Sequence, residues 1–178
     1  MSRSRRTRVA QACLTSLLAL TALPWQASAA SSKPTTHRLL VSKELWATID
    51  VCSPTDQPNT VGIRGSMPGD GRPSGRMYMG FRLQYLDRAS NHWVDLASGA
   101  TPRFVAVGAA GSARQGGRSF QLVPVAGKPA FTLRGVVDFQ WRRGGTVLAS
   151  AVRATTAGHQ SLAGADPAGF TAAGCLIG

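Results

Sequence analysis

Apolar and polar side chains alternate along most of the chain. In 45–51, Leu45, Ala47, Ile49 and Val51 fall on one side and Trp46, Thr48 and Asp50 on the other. In 77–87, Met77, Met79, Phe81, Leu83 and Tyr85 share a face. In 131–141, Phe131, Leu133, Gly135, Val137, Phe139 and Trp141 do the same. A period of two puts one face of an extended strand in a core and turns the other outward. Shorter runs at 60–66, 92–97, 103–108, 118–123 and 146–154 extend the pattern. Turn chemistry separates them: two prolines in 53–59, Pro and Gly in 66–75, a hairpin at 87–91, a Gly/Ala loop at 108–117 and Arg142-Arg143-Gly144-Gly145 as a tight reversal. No segment carries a helical stripe with caps. Eight such strands predict an all-β domain, a two-sheet antiparallel sandwich, with a barrel as the other arrangement this spacing permits.

Two stretches carry a family resemblance. Phe81-Arg-Leu-Gln-Tyr-Leu-Asp87 turns into His92-Trp-Val-Asp-Leu96, and Phe131 to Trp141 runs through Gly144-Gly145 to Val147. Over roughly 40–155 the chain resembles an immunoglobulin-like or fibronectin type III-like β-sandwich. The resemblance implies architecture alone, because a shared fold lends no activity. As a whole the chain also looks like small exported bacterial proteins.

The two ends of the chain read differently from the middle. Arg3, Arg5, Arg6 and Arg8 precede a Leu- and Ala-rich run from Val9 to Leu23, and Ala27-Ser28-Ala29 supplies small residues for cleavage. Residues 1–29 are thus expected to be a signal peptide, and the mature chain is expected outside the cell. A flexible lead-in at 30–38 comes next, then the sandwich over 39–155. A tail at 156–178, rich in Ala and Gly without a period, is expected to pack back on the domain. No later stretch has the ~18 apolar residues of a membrane span. Cys13 leaves with the signal. The remaining pair, Cys52 and Cys175, predicts one disulfide in an exported chain, with two free thiols as the other reading. Cys52 shares the parity of Trp46 and Asp50, so the bond is expected to clamp the tail on the surface.

Composition narrows the chemistry. The chain is 43% hydrophobic, and its 20 Lys and Arg against 8 Asp and Glu give a formal charge of +12. Four arginines go with the signal peptide and no acid does, which leaves 16 basic and 8 acidic residues and a charge of +8. Thirteen of those 16 are Arg, a bias that GC-rich codon supply also produces. There is no Gly-x-Ser-x-Gly elbow, no phosphate-cradling glycine motif and no paired His spacing, so no catalytic residue, cofactor or metal is expected. His159, Ser161 and Asp166 lie close together, but a Gly-rich coil does not align a triad. Asp50 and Asp138 are read as outward strand positions, and Asp56, Asp70 and Asp87 as turn residues. The remaining signal is basic. Under up-and-down alternation Arg114 and Arg118 at one loop and Arg142 and Arg143 at another share an end, a possible anion-binding cluster. The leading expectation is a secreted, non-enzymatic binding or structural module. A binder of acidic cell-wall or polysaccharide polymers through the Arg cluster and a secreted hydrolase with loop-borne residues stay open beside it. Partners are an acidic cell-surface polymer or another extracellular protein; nucleic acid is not expected for an exported chain.

Overall fold

The computed structural model describes residues 33–96, 102–159 and 164–178, all within one compact unit. The expected signal peptide at 1–29 lies outside the described residues. The described chain is mainly antiparallel β-sheet. A short helix, α1 (Lys33–Leu40), precedes β1 (Trp46–Cys52), β2 (Thr60–Met67), β3 (Arg72–Asp87), β4 (His92–Asp95), β5 (Phe104–Ala110), β6 (Arg114–Gln121), β7 (Phe131–Arg143), β8 (Thr146–Ala154) and β9 (Cys175–Ile177). The expected lead-in therefore carries a helical turn pair. Leu39 packs into the core, and Arg153 on β8 donates from Nη2 to the Leu40 carbonyl at 2.8 Å, satisfying one of the orphan acceptors at a helix end.

Three strands form one sheet in the order β1-β2-β6. The other six form a second sheet around the long antiparallel pair of β3 and β7, which runs in register from Arg76↔Arg142 to Tyr85↔Leu133. The free side of β3 is shared by β5 along its first half and β4 along its second. The free side of β7 is shared by β9 at Phe131–Leu133 and β8 from Val136 onward. β5 and β6 belong to different sheets, so the chain changes sheet across residues 111–113. The alternating runs read from the sequence supply the core: Ile49, Ile63, Met79, Phe81, Leu133 and Phe139 are buried in one cluster with Trp141. Trp141 keeps its indole N–H bonded to the Pro68 carbonyl at 2.8 Å, which removes the cost of burying that donor. Gly144 and Gly145 both adopt positive φ, 51° and 83°, and close the two-residue β7–β8 turn.

The segment 108–117, expected as a loop, is mostly strand. β5 ends at Ala110 and β6 begins at Arg114. Gly116 and Gly117 carry no side chain, so β6 shows no apolar alternation, yet the strand pairs with β2 from Met67↔Arg114 to Thr60↔Gln121.

β1 contains the irregularity that matters most. Ile49 pairs with Ile63, but Val51 pairs with Gly62 and Cys52 with Val61, so Asp50 is an extra residue. Such a bulge reverses the parity that follows it. Cys52 consequently turns to the inner face, beside Val61, which is fully buried. The expectation of a surface clamp is corrected here: Cys175 is 3% exposed and belongs to the core cluster. The disulfide joins Cys52 to Cys175 with the Cα atoms 5.6 Å apart. Gly62 makes the bulge possible, because a Cβ there would stand 2.6 Å from Asp50 Oδ1 and 2.8 Å from Val51 Cβ.

The tail is not simple coil. It returns along the open edge of β1 and then joins β7. Ile49 and Ala172 exchange backbone hydrogen bonds at 2.9 and 3.0 Å, Thr156 N donates to the Ala47 carbonyl and Asp166 N donates to that of Asp50. β9 then adds to β7. Thr155, 5% exposed, accepts from Gly135 N at 3.1 Å and donates to the Ala173 carbonyl.

Candidate functional site

The outer face of the three-stranded sheet presents cross-strand rows. One row is Trp46, Ser66 and Gln115; the next is Thr48, Arg64 and Gly117; then Gly62 stands beside Ser119. Two depressions open on this face. One, of about 220 Å³, is lined by Asp50, Val51, Arg64, Gly117, Ser119 and Gly164 with Arg118 at its side. The other, of about 340 Å³, is lined by Lys43, Glu44, Trp46, Ser66, Arg114 and Gln115 with Ala113. Along β6 the first is lined by 117–119 and the second by 113–115, segments whose midpoints lie four residues, about 13 Å, apart. The absence of side chains at Gly62 and Gly117 deepens the first.

The tail builds one wall. Gly164 lines the first depression, and a Cβ there would come 3.1 Å from Arg64 Nη2. His159 stacks on Trp46 with ring centroids 4.4 Å apart and planes 14° apart. Its Nε2 and the Thr156 hydroxyl are 2.8 Å apart. Thr171 and Thr48 join hydroxyls at 2.7 Å. Partial burial pushes the His159 pKa below its ordinary value. At the floor, Arg64 Nε donates to Asp50 Oδ2 at 2.8 Å, with the Asp50 side chain 4% exposed. Asp50 keeps its outward parity, but the tail covers it and Arg64 satisfies its buried carboxylate.

The four arginines singled out in the sequence fall in different settings. Arg118 lies 4.9 Å over the Phe120 ring and lines the first depression; Arg114 lines the second. Arg143 lies 3.6 Å from Asp70, itself in the turn before β3. Arg142 turns onto the outer face of the other sheet, 4.3 Å over Tyr78 and 5.1 Å over Phe104. Arg114 and Arg118 share the side of β6 that faces their buried partners Met67 and Ile63, at the edge of the two depressions, and Arg142 lies on the other sheet. Strict up-and-down order would have placed all four at one end, but β5 and β6 change sheets.

Of the tail residues weighed for catalysis, His159 is engaged by Thr156 and Trp46, and Asp166 lies in the bridge to β1. Ser161 lies outside the described residues. Among the described residues no group of three or more His, Cys, Asp or Glu side chains could hold a metal ion. No described helix is long and apolar enough to cross a membrane.

Sequence reasoning missed Trp46 with His159, and Asp50 with Arg64. The outward parity of Trp46 and Asp50 was visible, but their partners come from the tail and from β2 across a bulge. On the six-stranded sheet, Arg82 donates to Asp95 at 2.6 Å and to Asp138 at 3.2 Å. Burial works against its charge, and the bonds to both carboxylates outweigh it and raise its pKa. The hydrogen bond from Gln84, opposed by partial burial and joined by Arg82, holds Asp95 below the usual carboxylate value.

No protein-family model matches the chain, and no curated protein matches it. Among solved structures, the Pseudomonas fluorescens alkylpurine DNA glycosylase AlkC bound to DNA containing an abasic site analog is similar at a TM-score of 0.32 and 14% identity. The match covers 63% of this chain and 29% of that one, so the chain spans less than a third of that protein's length. A likeness of this size lends neither a fold nor an activity.

Proposed function

We propose that the protein is an exported, non-enzymatic immunoglobulin-like β-sandwich that binds an extended acidic polysaccharide along the outer face of its three-stranded sheet. The observation that carries this reading is the pair of depressions in line on one face, about 13 Å apart along the strands. Hydroxyl and amide side chains, Ser66, Gln115 and Ser119, offer hydrogen bonds to sugar hydroxyls, and Trp46 offers an apolar ring. Cations outnumber carboxylates around each depression: Arg64 lies with Asp50 and Lys43 with Glu44, while Arg118 and Arg114 leave β6 at the edge, on the side of Ile63 and Met67. The residual positive charge in each favours an acidic chain.

The sandwich reading is supported by two antiparallel sheets that share one apolar cluster. Export is supported by the signal-like sequence at 1–29 and by a disulfide, which persists in oxidising compartments. A glycosidase needs two carboxyl groups across its substrate. Each depression lines with one, and Asp50 is already bonded to Arg64.

The test is affinity electrophoresis of the mature protein in gels containing polygalacturonate. Ser119 is exposed, so Ser119→Glu leaves the fold intact and adds a negative charge beside Arg64 and Arg118. A trimer of galacturonic acid should then bind about tenfold more weakly, which corresponds to about 1.4 kcal/mol. Unchanged trimer binding by this variant, or no trimer binding by the parent protein, would overturn the reading.

A further inference from the structure

The outer face of the six-stranded sheet carries two arginines held in the same unusual way. Arg142 Nε donates to Gln140 Oε1 at 2.7 Å, Nη2 donates to the same oxygen, and the guanidinium lies over Tyr78 and Phe104. Gly80 gives that cluster room: a Cβ there would stand 2.7 Å from Pro102 and 3.5 Å from Phe104. Arg134 Nε donates to Gln84 Oε1 at 2.8 Å, and its guanidinium lies 4.4 Å over the Trp93 ring. In both, a neutral glutamine and an aromatic face fix the guanidinium, and among the described residues no carboxylate is bonded to it. Arg82 between them is the contrast, bonded to Asp95 and Asp138. A like charge worsens each position. Arg142 stands opposite Arg76 across the β3–β7 ladder, and the proximity of Arg82, after burial, lowers the pKa of Arg134.

We propose that these two guanidiniums are anion forks, and that this face is a second binding surface, for carboxylate groups repeated along a polymer. A fork held at its Nε edge keeps its Nη1 hydrogens and at least one Nη2 hydrogen for a planar, two-oxygen acceptor. The ring and the glutamine have already removed most of the side-chain freedom that binding would otherwise cost. Residues 134 and 142 are eight apart on β7, so the forks lie roughly 26 Å apart. A short oligomer reaches one fork; a long chain reaches both and gains through effective concentration. This inference does not rest on the groove of the other sheet.

The experiment uses the Ser119→Glu protein, in which the groove is weakened, and measures binding of polygalacturonate and of its trimer at low salt. Long polymer is expected to bind about 100-fold tighter per chain than the trimer. Arg142→Gln and Arg134→Gln are each expected to weaken long-polymer binding about tenfold, with the smaller loss at Arg134, which has Asp95 nearby. Arg142→Lys should lose as much as Arg142→Gln, because a lysine keeps the charge and loses the fork. Gln140→Glu supplies Arg142 with an internal carboxylate, so it should keep or raise the melting temperature while weakening binding; it serves where Arg142→Gln does not fold. Full binding by Arg142→Lys, equal affinity for trimer and long polymer, or undiminished binding by a folded Gln140→Glu protein would overturn the proposal.

Discussion

The centre of the six-stranded sheet and the seam between β1 and the tail are held by different means. β3 and β7 pair over ten consecutive registers, and every second residue enters the core. The seam has a few backbone bonds, three side-chain hydroxyl contacts, one ring stack and one covalent bond. The first region is stabilised by burial, which is spread over many residues and proportional to area. The second depends on a small number of specific groups. A chain rich in Ala and Gly, as 156–174 is, has little apolar surface to bury, and the disulfide offsets that by limiting the freedom of the unfolded chain. The seam is also the wall of the proposed groove, so function sits on the less redundant region.

The largest effect is expected in the centre. Phe139→Ala removes a ring that is fully buried between neighbours, and should cost about 3–5 kcal/mol in chemical denaturation. A much smaller loss would mean that the centre is not the rigid region. Next comes the seam. Replacing Cys52 and Cys175 together by alanine should cost about 2–4 kcal/mol, and hydrogen exchange should quicken in 164–177 more than in β3 or β7. Equal acceleration in both regions would remove the distinction between them.

Thr155→Val leaves the Gly135 N–H and the Ala173 carbonyl without their partner at nearly constant volume. It should cost about 1–3 kcal/mol. In the protein lacking both cysteines the cost should be smaller, because the two changes loosen the same segment.

The smallest effect is a pH dependence. His159 has its pKa lowered by burial, so below about pH 6.5 the unfolded chain binds more protons than the folded one. Stability should therefore rise with pH through the window between the folded value and 6.5, and fall as the solution is acidified across it. His159→Phe keeps a ring on Trp46 and removes the titrating nitrogen. The two proteins should differ in slope across that window, and parallel curves from parallel denaturant titrations would show that the stack does not report on His159.

These two regions also differ in how much of them could be read in advance. The runs at 77–87 and 131–141 announce β3 and β7, and 146–154 matches β8. Alternation is a property of each strand alone, so one sequence suffices to see it. The orientation of Cys52 is not such a property. It depends on one extra residue in β1 relative to β2, and on Gly62 making space for it. The pairing of Cys52 with Cys175 follows from counting; the side of the sheet on which they meet does not. β6 was legible only in part, from 118 on, because Arg114 to Gly117 has no apolar position to alternate. The arginines at 114, 118, 142 and 143 were visible as charge. Their grouping required knowing that the chain changes sheet at 111–113, and the partners of Arg142 are aromatic rings on β3 and β5.

The most direct test of the groove walled by the tail is backbone amide shift mapping of the ¹⁵N-labelled protein during titration with the galacturonic acid trimer. The account predicts the largest changes at Ser66, Gln115, Gly117 and Ser119 and at Gly164 in the wall, with β8 unmoved. Saturable binding that leaves those five amides in place would contradict it.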